Sequence, residues 1–177
     1  MSSNIINLLW ESFLETILMV GVSGGLGAAI GIPLGVFLFV TSPKGIMPKP
    51  YVNRIIGTIV NAVRSTPFII LLVAIIPFTR LIVGSSIGTV AAIVPLTIAA
   101  APLIARLVET SLREVDKGLI EAAQSMGATN TQIICKVLLP EAMPGILAGL
   151  TIAFVALVGS SAMAGAVGGG GLGDMGI

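Results

Sequence analysis

The sequence predicts an all-α, polytopic membrane protein, and two observations support this fold class. The chain of 177 residues is 55% hydrophobic and only 10% charged, whereas soluble domains carry about 25% charged residues. Its apolar runs lack the alternation of a β-barrel strand, so helices are the structure that satisfies every backbone hydrogen bond in lipid. A spanning helix needs about 20 mostly apolar residues. Four runs are long enough, at about 13–40, 55–78, 87–105 and 145–167.

Glycine is concentrated in the first apolar run at a spacing of four residues. Gly27, Gly31 and Gly35 form two consecutive GxxxG steps. Small residues one turn apart let a second helix approach closely, so van der Waals contact replaces the hydrophobic drive that is missing in lipid. Glycine is also common in membrane helices generally, and both interpretations stay open. In either case these glycines indicate packing rather than a binding site.

Lysine and arginine are concentrated in two loops, which sets the predicted orientation. The basic residues of the first loop and of the long loop 106–141 are Lys44, Lys49, Arg54, Arg106, Arg113, Lys117 and Lys136. The positive-inside rule puts both loops in the cytoplasm, so the N-terminus and the glycine-rich tail face the other side. The first apolar run is longer than the apolar region of a signal peptide, and no Lys or Arg precedes it.

Several function classes lack the residues they need. The net charge of +1 gives no electrostatic reason for binding nucleic acid, and the chain has no His, the commonest general base and metal ligand. Its one cysteine, Cys135, cannot form an intrachain disulfide. No GxxxxGK[ST] phosphate loop is present, so the chain is not expected to bind ATP in that way.

Local signals divide the middle of the long loop into two short helices. Asp116 is a suitable N-cap for the first helix, and Gly127 is suited to the position just after its end. Thr129 with Gln132 three residues later is a capping-box pattern for the second helix. That second helix is expected to end before Pro140, close to the start of the last apolar run.

The first of these short helices carries Glu121, Ala122 and Ala123. Two alanines predict a helix face of little bulk, with a charge beside it. A rigid helix of this kind that projects from a membrane suits a groove on a partner protein. From the residues alone, a loop that merely caps the bundle is the alternative interpretation.

This segment resembles the EAA motif of ATP-binding-cassette importer permeases. EAA at 121–123 is followed by three residues, Gly127, nine residues and then Val-Leu-Leu-Pro at 137–140; Val stands where that family usually has Ile. The resemblance implies the type I importer permease fold and a helix that docks on a separate ATPase. The residues it assigns to this coupling are Glu121, Ala122, Ala123, Gly127, Val137, Leu139 and Pro140.

The resemblance also implies a set of partners. They are two copies of an ATPase subunit that bind the ATP, a second permease copy, an extracytoplasmic binding lipoprotein and the lipid of a bacterial cytoplasmic membrane. No cofactor on this chain and no nucleic acid are expected. Residues 31–35, 64–80 and 159–174 are similar to the methionine-uptake permeases of this superfamily, which implies methionine as the solute, with its stereoisomers and close derivatives left open. That family has a fifth span, and the sequence is expected to stop before it.

Four residues are candidates for the substrate path. Arg64 lies in or near the second apolar run, where an ionised side chain is costly. It either reaches the cytoplasmic headgroups or contacts a substrate carboxylate inside the membrane. Ser160, Ser161 and Met163 lie in the fourth run and can line a path for a sulfur-containing amino acid. Alternatively, the hydroxyls bond to the preceding turn and the methionine fills a gap in the packing.

Three rival functions remain at this point. A permease of the same type for another amino acid or an osmolyte is the nearest. An ion-coupled secondary transporter would need acids inside the membrane, and the four predicted runs offer almost none. A membrane-embedded enzyme would need a base beside a nucleophile, and no such pair is apparent. The chain is therefore expected to be a transport subunit rather than an enzyme.

The predicted orientation can be tested with alkaline phosphatase fusions, because that reporter needs disulfides and is active only outside the cytoplasm. A fusion after Lys117 is expected to be inactive, and a fusion after Gly171 is expected to be active. High phosphatase activity of the Lys117 fusion, at equal expression, would overturn the orientation.

Overall fold

The chain is a bundle of helices in a computed structural model that describes the backbone of residues 2–176 and the side chains of residues 5–176. No strand occurs among these residues. The α-helices are α1 Ser2–Val40, α2 Pro50–Ser65, α3 Phe68–Ala74, α4 Ile76–Val83, α5 Thr89–Arg113, α6 Lys117–Ser125, α7 Asn130–Ile133, α8 Leu139–Ala164 and α9 Leu172–Met175. A π-helical turn precedes α8 and another follows it, at Ile134–Leu138 and Gly165–Gly169.

Three helical stretches are long and apolar enough to cross a membrane within the described part of the chain. They are Ile5–Val40, Thr89–Arg113 and Asn130–Gly169. The pair α2 and α3 passes the same test only if its two helices are counted together, which raises the number of candidate spans to four. An all-helical, polytopic membrane fold is therefore confirmed.

The second predicted span, 55–78, is wrong as a single helix. Helices α2 and α3 meet at an angle of 106°, and a third short helix, α4, follows. The break lies at Thr66 and Pro67, where Thr66 adopts an extended backbone conformation. Proline disfavours the helical conformation for the residue before it and has no N–H to donate. The apolar run therefore forms a broken segment.

The glycines of α1 form a seam against α5. A Cβ atom added at Gly31 would lie 2.7 Å from the Ala101 carbonyl oxygen and 2.8 Å from the Ile104 Cβ. Gly27 and Gly35 meet neighbouring turns of α5 equally closely. Both GxxxG steps thus pack helix on helix within this chain, because only glycine leaves room for the α5 backbone.

Helix α5 is the centre of the bundle. It contacts α1 on one side and α8 on another, and α2, α3 and α4 also pack against it. Its side chains Leu96, Ile104, Val108 and Leu112 are almost completely buried and belong to one hydrophobic core shared with α1 and α8. Any displacement of α5 therefore reaches most of the molecule.

At one end of the bundle, the glycine-rich segment after α8 is a tight turn fixed by hydrogen bonds. The Gly171 N–H donates to Glu15 Oε2 at 2.7 Å, and the Leu172 N–H donates to Thr16 Oγ1 at 2.9 Å. Gly168, Gly170 and Gly171 have positive φ angles, which glycine adopts at no steric cost. This turn joins the segment after α8 to α1 at Glu15 and Thr16, about four turns from the start of that helix.

The glycine seam predicts opposite effects for two glycine substitutions in α1. Gly31→Ala is expected to destabilise the protein by about 1–3 kcal/mol, because the added methyl overpacks the contact with α5. Gly25 has open space around its Cβ position, so Gly25→Ala is expected to leave stability unchanged or raise it by up to about 1 kcal/mol. Thermal unfolding of both variants in detergent measures this, and equal losses would contradict the seam.

Candidate functional site

A small helical unit projects from the end of the bundle opposite the glycine-rich turn; we call residues 114–138 the knob. The first and last residues of the predicted loop 106–141 are helical, because α5 continues to Arg113 and α8 begins at Leu139. The buried side chains Ile104, Val108 and Leu112 continue the core-facing side of α5 to its end. Asp116 caps α6 as predicted, since its Oδ1 accepts from the Gly118 N–H at 2.7 Å.

Helix α6 ends in a Schellman motif. Gly127 has φ +79°, its N–H donates to the Gln124 carbonyl at 2.9 Å, and the Ala128 N–H donates to the Ala123 carbonyl at 3.1 Å. These two bonds are the pair that satisfies the last carbonyls of a helix closed by glycine. The predicted role of Gly127 as the residue after the helix end is confirmed.

The capping box of α7 is also present. Thr129 Oγ1 accepts from the Gln132 N–H, and the Thr129 N–H donates to Gln132 Oε1. Helix α7 ends at Ile133, before Pro140 as expected, but the chain stays helical through a π turn into α8. The Leu139 N–H donates to the Ile134 carbonyl, which is the wider hydrogen-bond step of a π-helix. This wider turn fits directly before Pro140, because proline has no N–H and crowds the preceding turn.

The two alanines after Glu121 lie on different faces of α6, which corrects the predicted small-sided face. Ala123 is buried against the core, whereas Glu121 and Ala122 are exposed. The exposed stripe of α6 consists instead of Leu119, Ala122 and Met126, at spacings of three and four residues. Met126 is 81% exposed and Leu119 is 43% exposed.

This apolar stripe stands on an otherwise polar unit, and large apolar side chains exposed together at one place mark contact surfaces. The rest of the knob turns its apolar residues inwards: Ile133 and Leu138 are fully buried, and Val137 and Leu139 are partly buried against the same core. Pro140 is exposed. The knob is thus a rigid support that is anchored in the bundle and presents the stripe outwards.

A cluster of charges lies on the last two turns of α5, next to the knob. Glu109 is only 3% exposed. Its carboxylate pairs with Arg106 at 2.5 Å and with Arg113 at 2.6 Å. The second arm of Arg106 donates to the Gly57 carbonyl of α2 at 2.9 Å. The Arg106 Nε is buried without a hydrogen-bond partner among the described residues.

The four candidates for a substrate path lie on two separate helices. Arg64 is exposed in the last turn of α2, next to the break in the chain. Ser160 and Ser161 bond back to the Ala156 and Val158 carbonyls, which is the structural alternative for these hydroxyls. Ser161 is also buried, whereas Met163 is 50% exposed.

A family of transport proteins matches most of this chain. A profile of the family described as "Binding-protein-dependent transport system inner membrane component" matches residues 31–177. The chain belongs to this family. The matched region contains the knob, the charge cluster and all four candidates for the substrate path, so each of them lies in the part of the chain that defines this family of inner membrane components.

Two curated members of the transport family illustrate the degree of similarity. The "Probable D-methionine transport system permease protein MetI" of Vibrio cholerae serotype O1 is 58% identical over 97% of this chain and 76% of the relative. The "D-methionine transport system permease protein MetI" of Escherichia coli strain K12 is 56% identical over 93% of this chain and 76% of the relative.

A solved structure has the same fold. A chain of the "MetNI methionine ABC transporter", in a crystal form with an inward-facing conformation, superimposes with a TM-score of 0.97 at 56% identity. The superposition covers 99% of this chain and 82% of that chain. This chain therefore has the fold of an ABC importer permease, as the EAA resemblance implied.

Four residues of this site were not predicted from the sequence. They are Leu119, Met126, Arg106 and Glu109. Leu119 and Met126 were detectable, because their spacing with Ala122 follows one helix face, but their exposure depends on which side of α6 meets the core. Arg106 and Glu109 were assigned to a loop. Their three-residue spacing brings them together on one face of a helix, and the position of the α5 end was the missing information.

Proposed function

We propose that this chain is the membrane-spanning permease subunit of an ATP-driven methionine importer. The observation that carries the proposal is the superposition on a methionine ABC transporter chain over 99% of the sequence, at 56% identity. The curated relatives named for D-methionine transport support the same solute. ATP is bound and hydrolysed by a separate subunit in this proposal.

The proposed assembly contains two permease copies, two ATPase subunits and an extracytoplasmic binding lipoprotein. The knob faces the cytoplasm and seats in a groove of the ATPase. Met126 and Leu119 provide the apolar contact, and Glu121 provides a charge at the rim. The Asp116 cap, the Schellman motif and the capping box hold these side chains in place, so little ordering entropy is lost on docking.

Transmission of the motion follows from where the knob is attached. Three residues, 114–116, separate α5 from α6, and the π turn joins the knob to α8. Movement of the ATPases therefore displaces the ends of α5 and α8 together. Because both helices share one packed core, the bundle responds as a rigid body rather than by bending.

The proposed substrate path includes Arg64, Ser160 and Met163. Discontinuous helices in transporters often form solute sites, and Arg64 lies at the break between α2 and α3. A guanidinium is the side chain best suited to bind the carboxylate of an amino acid. Met163 offers an exposed thioether to a sulfur-containing side chain. Ser161 contributes to helix packing in this proposal, since its hydroxyl is buried and already bonded.

If α6 docks on the ATPase, changing the exposed side chains of α6 is expected to weaken binding of the ATPase to the permease. Met126→Asp and Glu121→Lys are each expected to lower the amount of co-purified ATPase by about tenfold, or about 1.4 kcal/mol. Glu141→Lys is the matched control, because Glu141 is an exposed acid in the first turn of α8, outside the knob. Wild-type amounts of bound ATPase in both the Met126→Asp and the Glu121→Lys variant, at equal permease levels, would refute the docking.

The solute and the role of Arg64 are tested together in vesicles that contain the reconstituted transporter. ATP-dependent uptake of labelled methionine is expected, with competition by unlabelled methionine and not by other amino acids or osmolytes. Arg64→Ala is expected to reduce uptake about tenfold, while Arg80→Ala, an exposed arginine on α4, is expected to leave it within about twofold.

Two results would count against these assignments. Strong competition by an unrelated solute, with none by methionine, would replace methionine as the substrate. Unchanged uptake by the Arg64→Ala variant, at normal protein level, would remove Arg64 from the path.

A further inference from the structure

We propose that Arg106 and Glu109 are positioning residues that tie helix α2 to helix α5, so that α2 moves with α5 during transport. We call the connection from the Gly57 carbonyl through Arg106 to Glu109 the α2 link. The inference rests on the proposed function, since it assigns a role within the ATP-driven movement of the permease.

The first observation is the burial of Glu109. The carboxylate is 3% exposed at the end of an apolar helix, and a buried charge is tolerated only when it is paired. Both of its oxygens are paired, but the two partners differ. The Arg113 side chain is 58% exposed, while the Arg106 side chain is 21% exposed. Glu109 therefore holds mainly Arg106, because the pair with Arg113 is open to solvent screening.

The second observation is what Arg106 does with its other arm. Its Nη2 donates to the Gly57 carbonyl at 2.9 Å, across 49 positions of sequence. This carbonyl lies in the middle of α2. Gly57 is suited to the contact, because an added Cβ would lie only 3.3 Å from that same nitrogen. One guanidinium thus bridges a carboxylate of α5 and the backbone of α2.

The third observation is how α2 is otherwise held. Many side chains of α2, including Tyr51, Ile55 and Ile59, are exposed, and only Gly57 and Val60 are buried. A second polar connection lies one turn before the first, where Asn53 Nδ2 donates to the Leu38 carbonyl at 2.6 Å. The same Asn53 nitrogen also donates to Thr41 Oγ1 at 3.0 Å. Side-chain hydrogen bonds at two neighbouring turns therefore fix α2 to the C-terminal end of α1 and to α5.

These connections place the α2 link between the knob and the break in the chain. On one side, Glu109 is four residues from the end of α5, and α6 begins after a further three. On the other side, α2 continues from Gly57 to Arg64 and the 106° bend. Displacement of the knob end of α5 pulls Arg106, and Arg106 pulls α2. The link thereby carries the movement to the region proposed to meet the substrate.

The test follows the two helices separately in the assembled transporter. Cys135 is replaced by Ser, and spin labels are attached to Thr58→Cys on α2 or to Thr110→Cys on α5; both positions are exposed. Distances between the two permease copies are measured by pulsed electron spin resonance, without nucleotide and with ATP and vanadate. When the α2 link is intact, the distances at both positions are expected to change when ATP and vanadate trap the transporter.

The key variant is the double substitution Arg106→Gln with Glu109→Gln. It removes the link without leaving a buried charge unpaired, so the bundle is expected to assemble even if Glu109→Gln alone does not. The shift at position 110 is expected to remain, and the shift at position 58 is expected to be lost. Uptake per ATP hydrolysed is expected to fall at least tenfold. Glu141→Gln, at an exposed acid of α8 outside the knob, is the matched control and is expected to keep both shifts and uptake within about twofold.

Each other outcome has a definite meaning. Retained shifts at both positions in the double variant, with unchanged uptake per ATP, would overturn the α2 link and leave the proposed function standing. Loss of assembly together with both shifts in the double variant would overturn it as well, because that result indicates a structural role. No shift at position 110 in the unaltered chain would overturn the proposed function and the α2 link with it.

Discussion

The close approach of glycine-bearing helices to α5 is the constraint on which the rest of the structure depends. On one side, Gly27, Gly31 and Gly35 of α1 leave no space for a side chain. On the other side, α8 uses the same device: a Cβ added at Gly145 would lie 2.9 Å from Ser111 Oγ. In lipid there is no hydrophobic drive to bring helices together, so contact area must come from small residues. Glycine contacts on two sides hold α5 in place. The position of α5 in turn determines where its C-terminal end, Arg106 and the knob lie.

The knob depends on a different kind of interaction. Its shape comes from local hydrogen bonds at Asp116, Gly127 and Thr129, each of which closes a helix end within a few residues. Only its inward side chains, such as Ala123 and Ile133, need the bundle. A unit specified in this way keeps its shape while the bundle to which it is joined moves, which is the property required of a part that passes force between two proteins.

Much of this architecture was predictable from the sequence, and the exceptions have physical causes. The caps at Asp116, Gly127 and Thr129 are confirmed because capping depends on residues close in sequence. The 106° bend at Pro67 and the π turn before Pro140 were missed. A proline is visible in the sequence, but the packing around it decides whether the helix kinks, breaks or continues through a wider turn. The exposed stripe of α6 and the charge cluster were missed since both depend on which face of a helix meets the core. The roles of the coupling residues and of Arg64 stay predictions.

The hydrogen bonds from Glu15 and Thr16 to the glycine-rich turn have a mechanical consequence. They fasten α1 to the segment after α8 at the end of the bundle that lies farthest from the knob, and the Gly88 N–H adds a bond from the start of α5 to the Gly168 carbonyl at 2.8 Å. Hydrogen bonds thus join three helices near this turn, and packing joins them along their length. In the proposed function, the turn is the fulcrum of a lever and the knob lies on its long arm. Small shifts near the turn then accompany large shifts at the knob, so we expect the subunit to rotate about an axis close to the glycine-rich turn.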